Sequence, residues 1–400
     1  MNPGAPSLDV ALVGREQPGD ENLALRYLAA ALAEAGHRAH IVPLLGPGHL
    51  ETAVRTVHEL RVPVVGVSIP DTDVAIDGFA FVRLLRRRGH VGHVTCGGPL
   101  ATLIRKEILA RQPGFDSVVR QEGEVPIVAL ADRLAQGRAW TDVPGITVRE
   151  GDGPPAPVAD LTPLRLRPFR PLRLPRILGV PVARMLASRG CPGRCAYCGP
   201  AALQREAVAE GLRAGIDAPT LARRGVGGTR RRAPGDVADE VAALHHERNA
   251  RFFVLLDDNL LGGDPPRAAA WLRELHAELD RRRVGRTAWS MQLEAASVTD
   301  EVLRAVVGLG AVRVLVGVEA LTDDGLRALG RPGSAAAGLE VVRRLRTSGA
   351  VANFNVLLVH PQATAASLRA EIEALASVPE LHSDALSLAV NSGTELWRRL

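Results

Sequence analysis

The sequence predicts an α/β protein with two consecutive parts: a doubly wound, Rossmann-like parallel sheet, followed by a partial TIM-like (β/α)6 barrel. Two observations predict this fold class. Short apolar runs alternate with helical patterns in both halves of the chain, and a stretch rich in Pro and Gly separates the two series. Because such alternation is typical of parallel sheets covered by helices, we predict a first domain at residues 1–148, a connector at 149–182 and a second domain at 183–400.

The first domain is predicted from five short apolar runs, each followed by a segment of helical periodicity. The expected strands are Asp9–Val13, His40–Leu44, Val64–Ile69, His93–Cys96 and Ser117–Val119. The expected helices are Glu21–Ala35, Leu50–Leu60, Val74–Arg87, Leu100–Ala110 and Pro126–Leu134. Ligands of such sheets bind at the carboxyl ends of the strands. At those ends this chain has loops of small residues, Gly14–Gly19, Ser68–Thr72 and Cys96–Pro99.

The connector is indicated by residues that disfavour both helix and strand. Gly and Pro dominate Glu150–Pro157, and five further prolines follow between Leu161 and Val182. Because proline lacks a backbone N–H and restricts the residue before it, it interrupts regular structure. An irregular linker between the two domains is therefore expected.

The second domain is predicted from six further strand patterns, most of them followed by a helix. The expected strands are Arg184–Ser188, Phe252–Leu256, Ala288–Leu293, Val312–Val318, Ala352–Val359 and Ala385–Val390. The expected helices are Pro234–Arg248, Pro266–Arg282, Asp300–Gly308, Thr322–Leu329, Ala335–Thr347 and Ala365–Ala376. Six such units predict a partial barrel with its active site at the carboxyl ends of the strands. The Gly- and Arg-rich segment Ala201–Arg232 is expected to be a substrate-covering insert or a surface loop.

The composition favours a globular chain and excludes several other classes. With 46% hydrophobic residues among 400, the chain can bury a core. Its net charge of +5 is too small and too dispersed for a nucleic-acid partner. The sequence shows neither a secretory signal pattern nor an apolar run approaching the roughly 20 residues of a membrane span, so we expect no membrane partner and a cytoplasmic location. Four cysteines exclude a disulfide framework.

Three of the four cysteines, Cys191, Cys195 and Cys198, lie in one short loop directly after the first strand of the second domain. Thiolates are the usual ligands of iron–sulfur clusters, and three of them can hold three corners of a cubane. Because Cys96 belongs to the other domain, the fourth iron is expected to keep an open position. A structural zinc site is the alternative. Zinc prefers four closed ligands, however, and no Cys or His follows at suitable spacing.

The C-x3-C-x2-C spacing of this loop resembles that of the radical S-adenosylmethionine (radical SAM) enzymes. The resemblance continues downstream in Phe252–Asn259, Gly317–Glu319, Leu329–Arg331 and Gly393–Leu396. It implies a [4Fe–4S] cluster held by Cys191, Cys195 and Cys198, with one iron left to the amino and carboxylate groups of SAM. In that family, electron transfer then cleaves SAM to a 5′-deoxyadenosyl radical.

The same resemblance implies SAM contacts at the mouth of the barrel. Asp257, Asp258 and Glu319 end strands there, where carboxylates can accept hydrogen bonds from an ammonium group or ribose hydroxyls. A strand-end carboxylate can instead cap a helix, and for Asp258 this alternative stays open. Gln292 and Asn355 are polar residues within apolar strand patterns and are expected to point inward, toward a ligand.

The end of the fifth barrel strand departs from the family's pattern. Where the family often has a Gly-x-Pro-x-Glu-Thr-like turn, this chain reads Val-His-Pro-Gln-Ala-Thr at residues 359–364. The Gly and the Glu are absent, and this leaves His360 as a candidate site residue or, alternatively, a hydrogen-bonded structural residue.

Segments of the first domain together resemble the cobalamin-binding (B12-binding) domain that precedes many radical SAM barrels. These segments are Asn22–Ala29, Ala35–His37, Val65–Ser68, Gly97–Gly98 and Gly123–Glu124. The resemblance implies bound cobalamin with its nucleotide tail buried in the sheet, Ser68, Gly97 and Gly98 as tail contacts, and residues near Thr72 facing the corrin. The D-x-H-x-x-G motif is missing, so no histidine is expected on the lower cobalt face. Gly97–Gly98 can alternatively be a tight strand-to-helix turn.

The chain is thus identified as a member of the radical SAM proteins with a B12-binding domain. This membership implies C-methylation of an unactivated carbon in a small-molecule or carrier-bound natural-product substrate. It also implies an electron donor such as flavodoxin or ferredoxin. One alternative is a cobalamin-assisted rearrangement, cyclisation or redox reaction without methyl transfer. Another is a non-catalytic iron–sulfur protein that transfers electrons.

Overall fold

A computed structural model of the chain describes residues 6–16, 21–158, 161, 174–360, 362–379, 383–387 and 390–400, with backbone only at 383–387. Residues 17–19 of the first predicted loop, 159–160 and 162–173 of the predicted connector, Pro361, and residues 388–389 of the last predicted strand lie outside the described residues. The chain divides into two compact units. Unit 1 contains the described residues of Met1–Leu172, Arg205–Val226 and Asn391–Gly393, and unit 2 those of Arg173–Gln204, Gly227–Val390 and Thr394–Leu400.

In the described part of unit 1, seven strands form one sheet. They are β1 (Asp9–Gly14), β2 (Arg38–Pro43), β3 (Val64–Ser68), β4 (His93–Gly97), β5 (Ser117–Val119), β6 (Ile146–Val148) and β7 (Gly151–Asp152). The spatial order is β2-β1-β3-β4-β5-β6-β7, with the first five parallel and the last two antiparallel. Because the order reverses between β1 and β3, this is the predicted doubly wound sheet, with the antiparallel edge as an unpredicted addition.

Helices cover both faces of this sheet. They are α1 (Leu23–Glu34), α2 (Leu50–Leu60), α3 (Thr72–Arg87), α4 (Pro99–Leu103), α5 (Arg105–Arg111) and α6 (Glu124–Ala135). Within β1, Ala11 and Val13 pack into one core and Val10 and Leu12 into the other. A strand buried on both faces reads as a continuous apolar run, and this explains the pattern in the sequence. The single helix predicted at 100–110 is two helices that meet at Ile104.

The segment after the cysteine loop is helical, although no helix was predicted there. It forms α7 (Gly199–Arg213), whose residues from Arg205 onward belong to unit 1, and α8 (Ala218–Arg223), also in unit 1. Part of this segment is therefore an ordered component of unit 1.

In the described part of unit 2, a second sheet holds seven of nine strands. The nine are β8 (Arg176–Ile177), β9 (Val180–Met185), β10 (Ser188–Arg189), β11 (Arg230–Arg231), β12 (Phe252–Leu255), β13 (Ala288–Glu294), β14 (Ala311–Glu319), β15 (Val351–Val359) and β16 (Ser383–Ser387). The sheet order is β16-β15-β14-β13-β12-β9-β8, and every neighbouring pair except β8–β9 is parallel. Six parallel strands in sequential order form the predicted partial barrel.

Seven described helices lie wholly in unit 2, and most of them pack against one face of its sheet. They are α9 (Pro234–Arg248), α10 (Pro265–Arg281), α11 (Asp300–Gly308), α12 (Asp323–Leu329), α13 (Ala335–Thr347), α14 (Ala365–Ala376) and α15 (Glu395–Arg399). Alternate strand residues, such as Trp289, Met291 and Leu293, are buried in this helix-facing core. Because side chains alternate across a strand, Gln292 and Glu294 lie on the opposite, inner face. None of the described helices is both long and apolar enough to span a bilayer.

The first barrel strand differs from its predicted bounds of 184–188. It begins at Val180 and ends at Met185, while Ser188–Arg189 pair antiparallel with Arg230–Arg231. The cause is a long-range contact: the Asp257 carboxylate accepts hydrogen bonds from the Ala187 N–H and the Ser188 hydroxyl. These bonds draw the chain out of the sheet just before the cysteine loop.

Candidate functional site

The three cysteines lie on a loop that runs from β10 to the start of α7. Backbone hydrogen bonds hold its middle: the Ala196 N–H donates to the Leu329 carbonyl (3.2 Å), and the Leu396 N–H donates to the Ala196 carbonyl (2.9 Å). Gly190, at the start of the loop, has a φ of +86°, and a Cβ there would lie 2.3 Å from the Gly228 carbonyl oxygen. Only glycine fits that position, so distant parts of the fold determine the loop's path.

Cys191, Cys195 and Cys198 all line one cavity of about 340 Å³. A Cβ at Gly193 would lie 3.1 Å from the Cys191 Sγ and 3.9 Å from the Cys195 Sγ, so these two sulfurs flank the same point. Burial raises the pKa of Cys198 to about 12 and also raises the pKa of Cys191. Such thiols ionise when a metal binds. Three thiols facing one cavity fit the ligand set of a [4Fe–4S] cluster that leaves one iron to another ligand.

A zinc ion and a cluster need different arrangements of donors. Within the residues that the structure describes, no three Cys, His, Asp or Glu side chains converge closely enough to hold a single metal ion. A zinc site needs four donors around one point, whereas a cubane binds each thiolate at a separate iron. The remaining cysteine, Cys96, is 1% exposed in the core of unit 1.

Hydrogen-bond donors approach the sulfurs from the loop itself, from the segment after β12 and from the turn after α12. The Gly193 N–H and the Asn259 Nδ2 donate to the Cys191 Sγ, at 3.3 and 3.6 Å, and the Arg331 Nη1 donates to the Cys195 Sγ at 3.5 Å. Donors of this kind stabilise thiolate charge and orient metal ligands.

Asp257 and Asp258 follow β12 and hold the segment that leads into the cysteine loop. Asp257 accepts from the Ala187 N–H at 3.1 Å and from the Ser188 hydroxyl at 2.5 Å, and Asp258 accepts from the Gly190 N–H at 3.3 Å. Burial raises the pKa of both carboxyls, to about 6 for Asp257, although these hydrogen bonds act in the opposite direction. Both residues also line the cavity.

The structure answers the open question of whether Asp258 caps a helix. The N-cap of α10 is Asp264, whose side chain accepts from the Arg267 N–H. Asp258 is therefore not the helix cap, and its carboxylate instead accepts a hydrogen bond from Gly190 in the cysteine loop. Direct contact of Asp257 or Asp258 with SAM stays a prediction.

Glu319 ends β14 in a backbone conformation that non-glycine residues rarely adopt, with φ at +71°. The pairing register between β14 and β15 shifts at the same point. Its carboxylate lines the cavity, where interaction with the Tyr197 side chain acts to lower its pKa. Burial raises the pKa of Glu319, while the charge of Arg331 works against this shift. Such strained positions persist where the surrounding fold enforces them and are concentrated at functional sites.

Gln292 and Asn355 line the same cavity, as predicted from their positions in apolar strands. Their amides make no hydrogen bond to any group that the structure describes, so the polar atoms are available to a ligand. Glu294 lies two residues beyond Gln292 on the same face, where its Oε2 accepts from the Asn259 Nδ2 at 3.2 Å and the Ser297 hydroxyl at 3.1 Å.

The fold thus brings together all eight residues predicted for the cluster and SAM: Cys191, Cys195, Cys198, Asp257, Asp258, Gln292, Glu319 and Asn355. Sequence reasoning missed Tyr197, Glu294, and the contacts of Asn259 and Arg331 with the sulfurs. Strand alternation could have indicated Glu294 from Gln292. His360 is not among the cavity residues, and its Nδ1 lies 3.4 Å from the Gln362 side chain on an exposed turn.

The residues predicted to contact cobalamin lie at the carboxyl ends of the parallel strands of unit 1. Ser68 ends β3, and exposed Thr72 begins α3. Gly98 has a φ of +114°, and a Cβ there would lie 2.8 Å from the Ile69 carbonyl oxygen. A Cβ at Gly97 would instead meet the Val119 carbonyl oxygen at 3.3 Å. Close backbone packing therefore accounts for both glycines, and their contact with a cofactor stays a prediction.

Two family models match parts of this chain. A model described as the B12 binding domain matches residues 19–131, and one described as the Radical SAM superfamily matches residues 185–375. An uncharacterized methyltransferase of Pyrococcus horikoshii is 22% identical over 383 residues, which cover 94% of this chain and 77% of that protein. The hopanoid C-3 methylase of Methylococcus capsulatus is 30% identical over 184 residues, covering 44% of this chain and 35% of that protein.

Among solved structures, the radical S-adenosylmethionine methyltransferase TsrM from Kitasatospora setae, with cobalamin and a [4Fe–4S] cluster bound, is similar in fold. The TM-score is 0.75 at 17% identity, and the match covers 98% of this chain and 74% of that chain. At this level of identity the likeness establishes the fold. It agrees with the predicted order of a doubly wound sheet followed by a partial barrel.

Proposed function

The chain belongs to the radical SAM superfamily and carries a B12 binding domain, and from this premise we propose that it is a cobalamin-dependent methyltransferase acting on an unactivated carbon of a small molecule. The observation that carries the proposal is the cavity of unit 2, whose walls combine three cysteines with carboxylates and amides at the strand ends. The names of two relatives, a methyltransferase and a C-3 methylase, support methyl transfer as the outcome.

When bound, the [4Fe–4S] cluster, SAM and cobalamin supply electron transfer, radical formation and methyl transfer, while the protein holds and orients them. We assign Cys191, Cys195 and Cys198 as the cluster ligands. Asp257 and Asp258 position the loop that carries these cysteines, through Ala187, Ser188 and Gly190, and they remain candidate SAM contacts. The cavity residues that do not hold the loop, chiefly Glu319, Gln292 and Asn355, then remain for binding SAM.

Three inner-face residues suit the polar groups of SAM. Glu319 offers a carboxylate that can accept from an ammonium group or ribose hydroxyls. Gln292 and Asn355 offer amides that combine donors and acceptors, and these lack partners among the described residues. Glu319, Gln292 and Asn355 are accordingly our proposed SAM contacts. All three side chains line the cavity, where Glu319 and Asn355 are partly buried and Gln292 is exposed.

We propose that unit 1 binds cobalamin at the carboxyl edge of its parallel strands, through Ser68, Thr72 and the backbone of Gly97 and Gly98. This edge is supported as the ligand site because ligands of open α/β sheets bind in the crevice at the carboxyl ends of the strands. The proposal includes a cytoplasmic location and a reduced flavodoxin or ferredoxin as electron donor.

Anaerobic reconstitution with iron, sulfide and cobalamin tests the cofactor assignment. The wild-type chain should bind about four irons and a corrinoid, with their absorption bands, and should release 5′-deoxyadenosine from SAM after reduction. Replacing Cys191, Cys195 and Cys198 together by alanine should abolish iron binding and SAM cleavage but preserve the corrinoid band. Cys96→Ala, in the core of unit 1, is the matched control and should retain the iron. A wild-type chain without SAM cleavage would contradict enzymatic function.

Methyl-labelled SAM tests the outcome of the reaction. After incubation with a pool of small metabolites, mass spectrometry should find the label on a carbon of one product. Release of 5′-deoxyadenosine together with a changed but unlabelled product would instead establish the alternative, a rearrangement, cyclisation or redox reaction.

A further inference from the structure

Arg331 reaches the cysteine loop because of a sharp turn after α12. The helix ends at Leu329, and Gly330 in the left-handed conformation (φ +68°) turns the chain toward the cavity. The Nη1 of Arg331 then donates to the Cys195 Sγ at 3.5 Å, and the Nη2 donates to the Gly317 carbonyl at 2.7 Å. The bond to the Gly317 carbonyl of β14 fixes the orientation of the guanidinium group, and this holds the Nη1 donor in place against the Cys195 Sγ.

The charge of Arg331 stands out among the cavity walls. Of the described residues that line the cavity, Arg331 is the only cation, whereas Asp257, Asp258, Glu294 and Glu319 are acidic. The guanidinium carries its charge here, because arginine is not deprotonated in proteins. The four acidic groups disfavour the addition of negative charge to this cavity. The positive charge of Arg331, which lies next to the Cys195 Sγ, favours it.

We infer that Arg331 raises the reduction potential of the [4Fe–4S] cluster by donating a charged hydrogen bond to the sulfur of Cys195. This inference rests on the proposed function, which places the cluster on the three cysteines. Cluster potentials depend on net charge and on hydrogen bonds to the sulfurs, and charge-assisted hydrogen bonds are about twice as strong as neutral ones. The step affected is the uptake of one electron from reduced flavodoxin or ferredoxin, in which no bond breaks and no proton moves.

The test is a redox titration of the reconstituted cluster without SAM, followed by electron paramagnetic resonance. At a fixed solution potential, Arg331→Gln and Arg331→Met should each show a ratio of reduced to oxidised cluster at least tenfold below wild type. This corresponds to a midpoint about 59 mV more negative for a one-electron couple. Arg331→Lys, which keeps the charge, should lie between them and wild type.

Arg327→Met is the matched control. It removes one positive charge four positions earlier, from a side chain that is 72% exposed and paired with Asp324 on α12. Its midpoint should equal that of wild type, because surface charges are screened by solvent.

Two results would overturn the inference. One is a neutral variant that keeps its full iron content and has the wild-type midpoint. The other is loss of the cluster from both neutral variants despite intact unfolding transitions, which would make Arg331 a requirement for cluster assembly and not a tuning residue. Failure of the wild-type chain itself to assemble a four-iron cluster would instead refute the proposed function.

Discussion

Arg120 and Glu210 lie 90 positions apart and form an ion pair whose side chains are 1% and 8% exposed. Arg120 directly follows β5, and its Nη2 also donates to the carbonyls of Gly153 and Pro154 at 2.9 and 2.8 Å. Glu210, on α7, accepts a further hydrogen bond from the Ala156 N–H at 2.7 Å. The pair therefore ties α7 to the sheet edge within unit 1.

Removing one member of this pair should destabilise unit 1 strongly. Glu210→Ala leaves the Arg120 guanidinium buried without its counter-charge, and breaking a buried pair in this way costs about 3–5 kcal/mol. Glu51→Ala is the control, because Glu51 pairs with Arg88 at a site where both side chains are more than half exposed. Glu51→Ala should lower the free energy of unfolding by at most about 1 kcal/mol. Urea unfolding monitored by circular dichroism measures both, and equal losses would contradict a buried role for the pair.

The Asp257 carboxyl should make stability depend on pH. Burial raises its pKa in the folded chain to about 6 from an ordinary value of 3.8. Between these values the folded state binds more protons than the unfolded state, so this group's contribution to stability falls as the pH rises. The full loss, complete above pH 6, is on the order of 3 kcal/mol.

Asp257→Asn removes the titrating group while keeping the size of the side chain. The free energy of unfolding of the cofactor-free chain is measured from pH 4 to pH 7.5 for both proteins. Relative to the variant, the wild type should lose stability as the pH rises through this range. Asp324→Asn, at an exposed position on α12, controls for the loss of one negative charge. Parallel curves for wild type and Asp257→Asn would show that the carboxyl does not titrate as described.

Glu319→Gln should weaken SAM binding without reducing iron content. The substitution keeps the shape but removes the charge from the strained strand end, and a hydrogen bond to a charged group contributes about 1.5–3 kcal/mol. The SAM dissociation constant, measured by calorimetry on the reconstituted protein, should rise by roughly tenfold to a hundredfold. Glu340→Gln, at an exposed position on α13, should leave it unchanged. Unaltered SAM affinity in Glu319→Gln would remove this residue from the proposed contacts.

Glu371 holds the backbone that follows Glu319. Its carboxylate, buried on α14, accepts from the Leu321 N–H at 2.6 Å, the Thr322 N–H at 3.1 Å and the Thr322 hydroxyl at 2.5 Å. Glu371→Ala leaves these buried donors unsatisfied and should cost about 1–3 kcal/mol for each donor that finds no water. Glu373→Ala, two positions later on the exposed side of α14, should be nearly neutral. Thermal unfolding compares the two variants, and similar midpoints would count against the role of Glu371.

Much of the site could be predicted from the sequence because its residues follow local rules. Cys191, Cys195 and Cys198 share one loop, and Gln292 and Asn355 interrupt apolar strand patterns. Parallel strands that run in sequential order bring their carboxyl ends together, so residues on different strands meet in one cavity. The end of the first barrel strand and the helix α7 were not predicted, since both depend on partners far along the chain.

The sequence by itself predicted the fold class, the family resemblance and the candidate cluster cysteines, because strand–helix alternation and cysteine spacing are written within short stretches of chain. Only the tertiary structure decided which side chains position the cysteine loop and which charged group lies beside its sulfurs. Arg331 meets Cys195 across 136 positions, Asp257 meets Ser188 across 69, and Arg120 meets Glu210 across 90. No periodic pattern in a short stretch of sequence indicates such pairs. They are selected by burial, which makes an unpaired charge or donor costly wherever the fold places it.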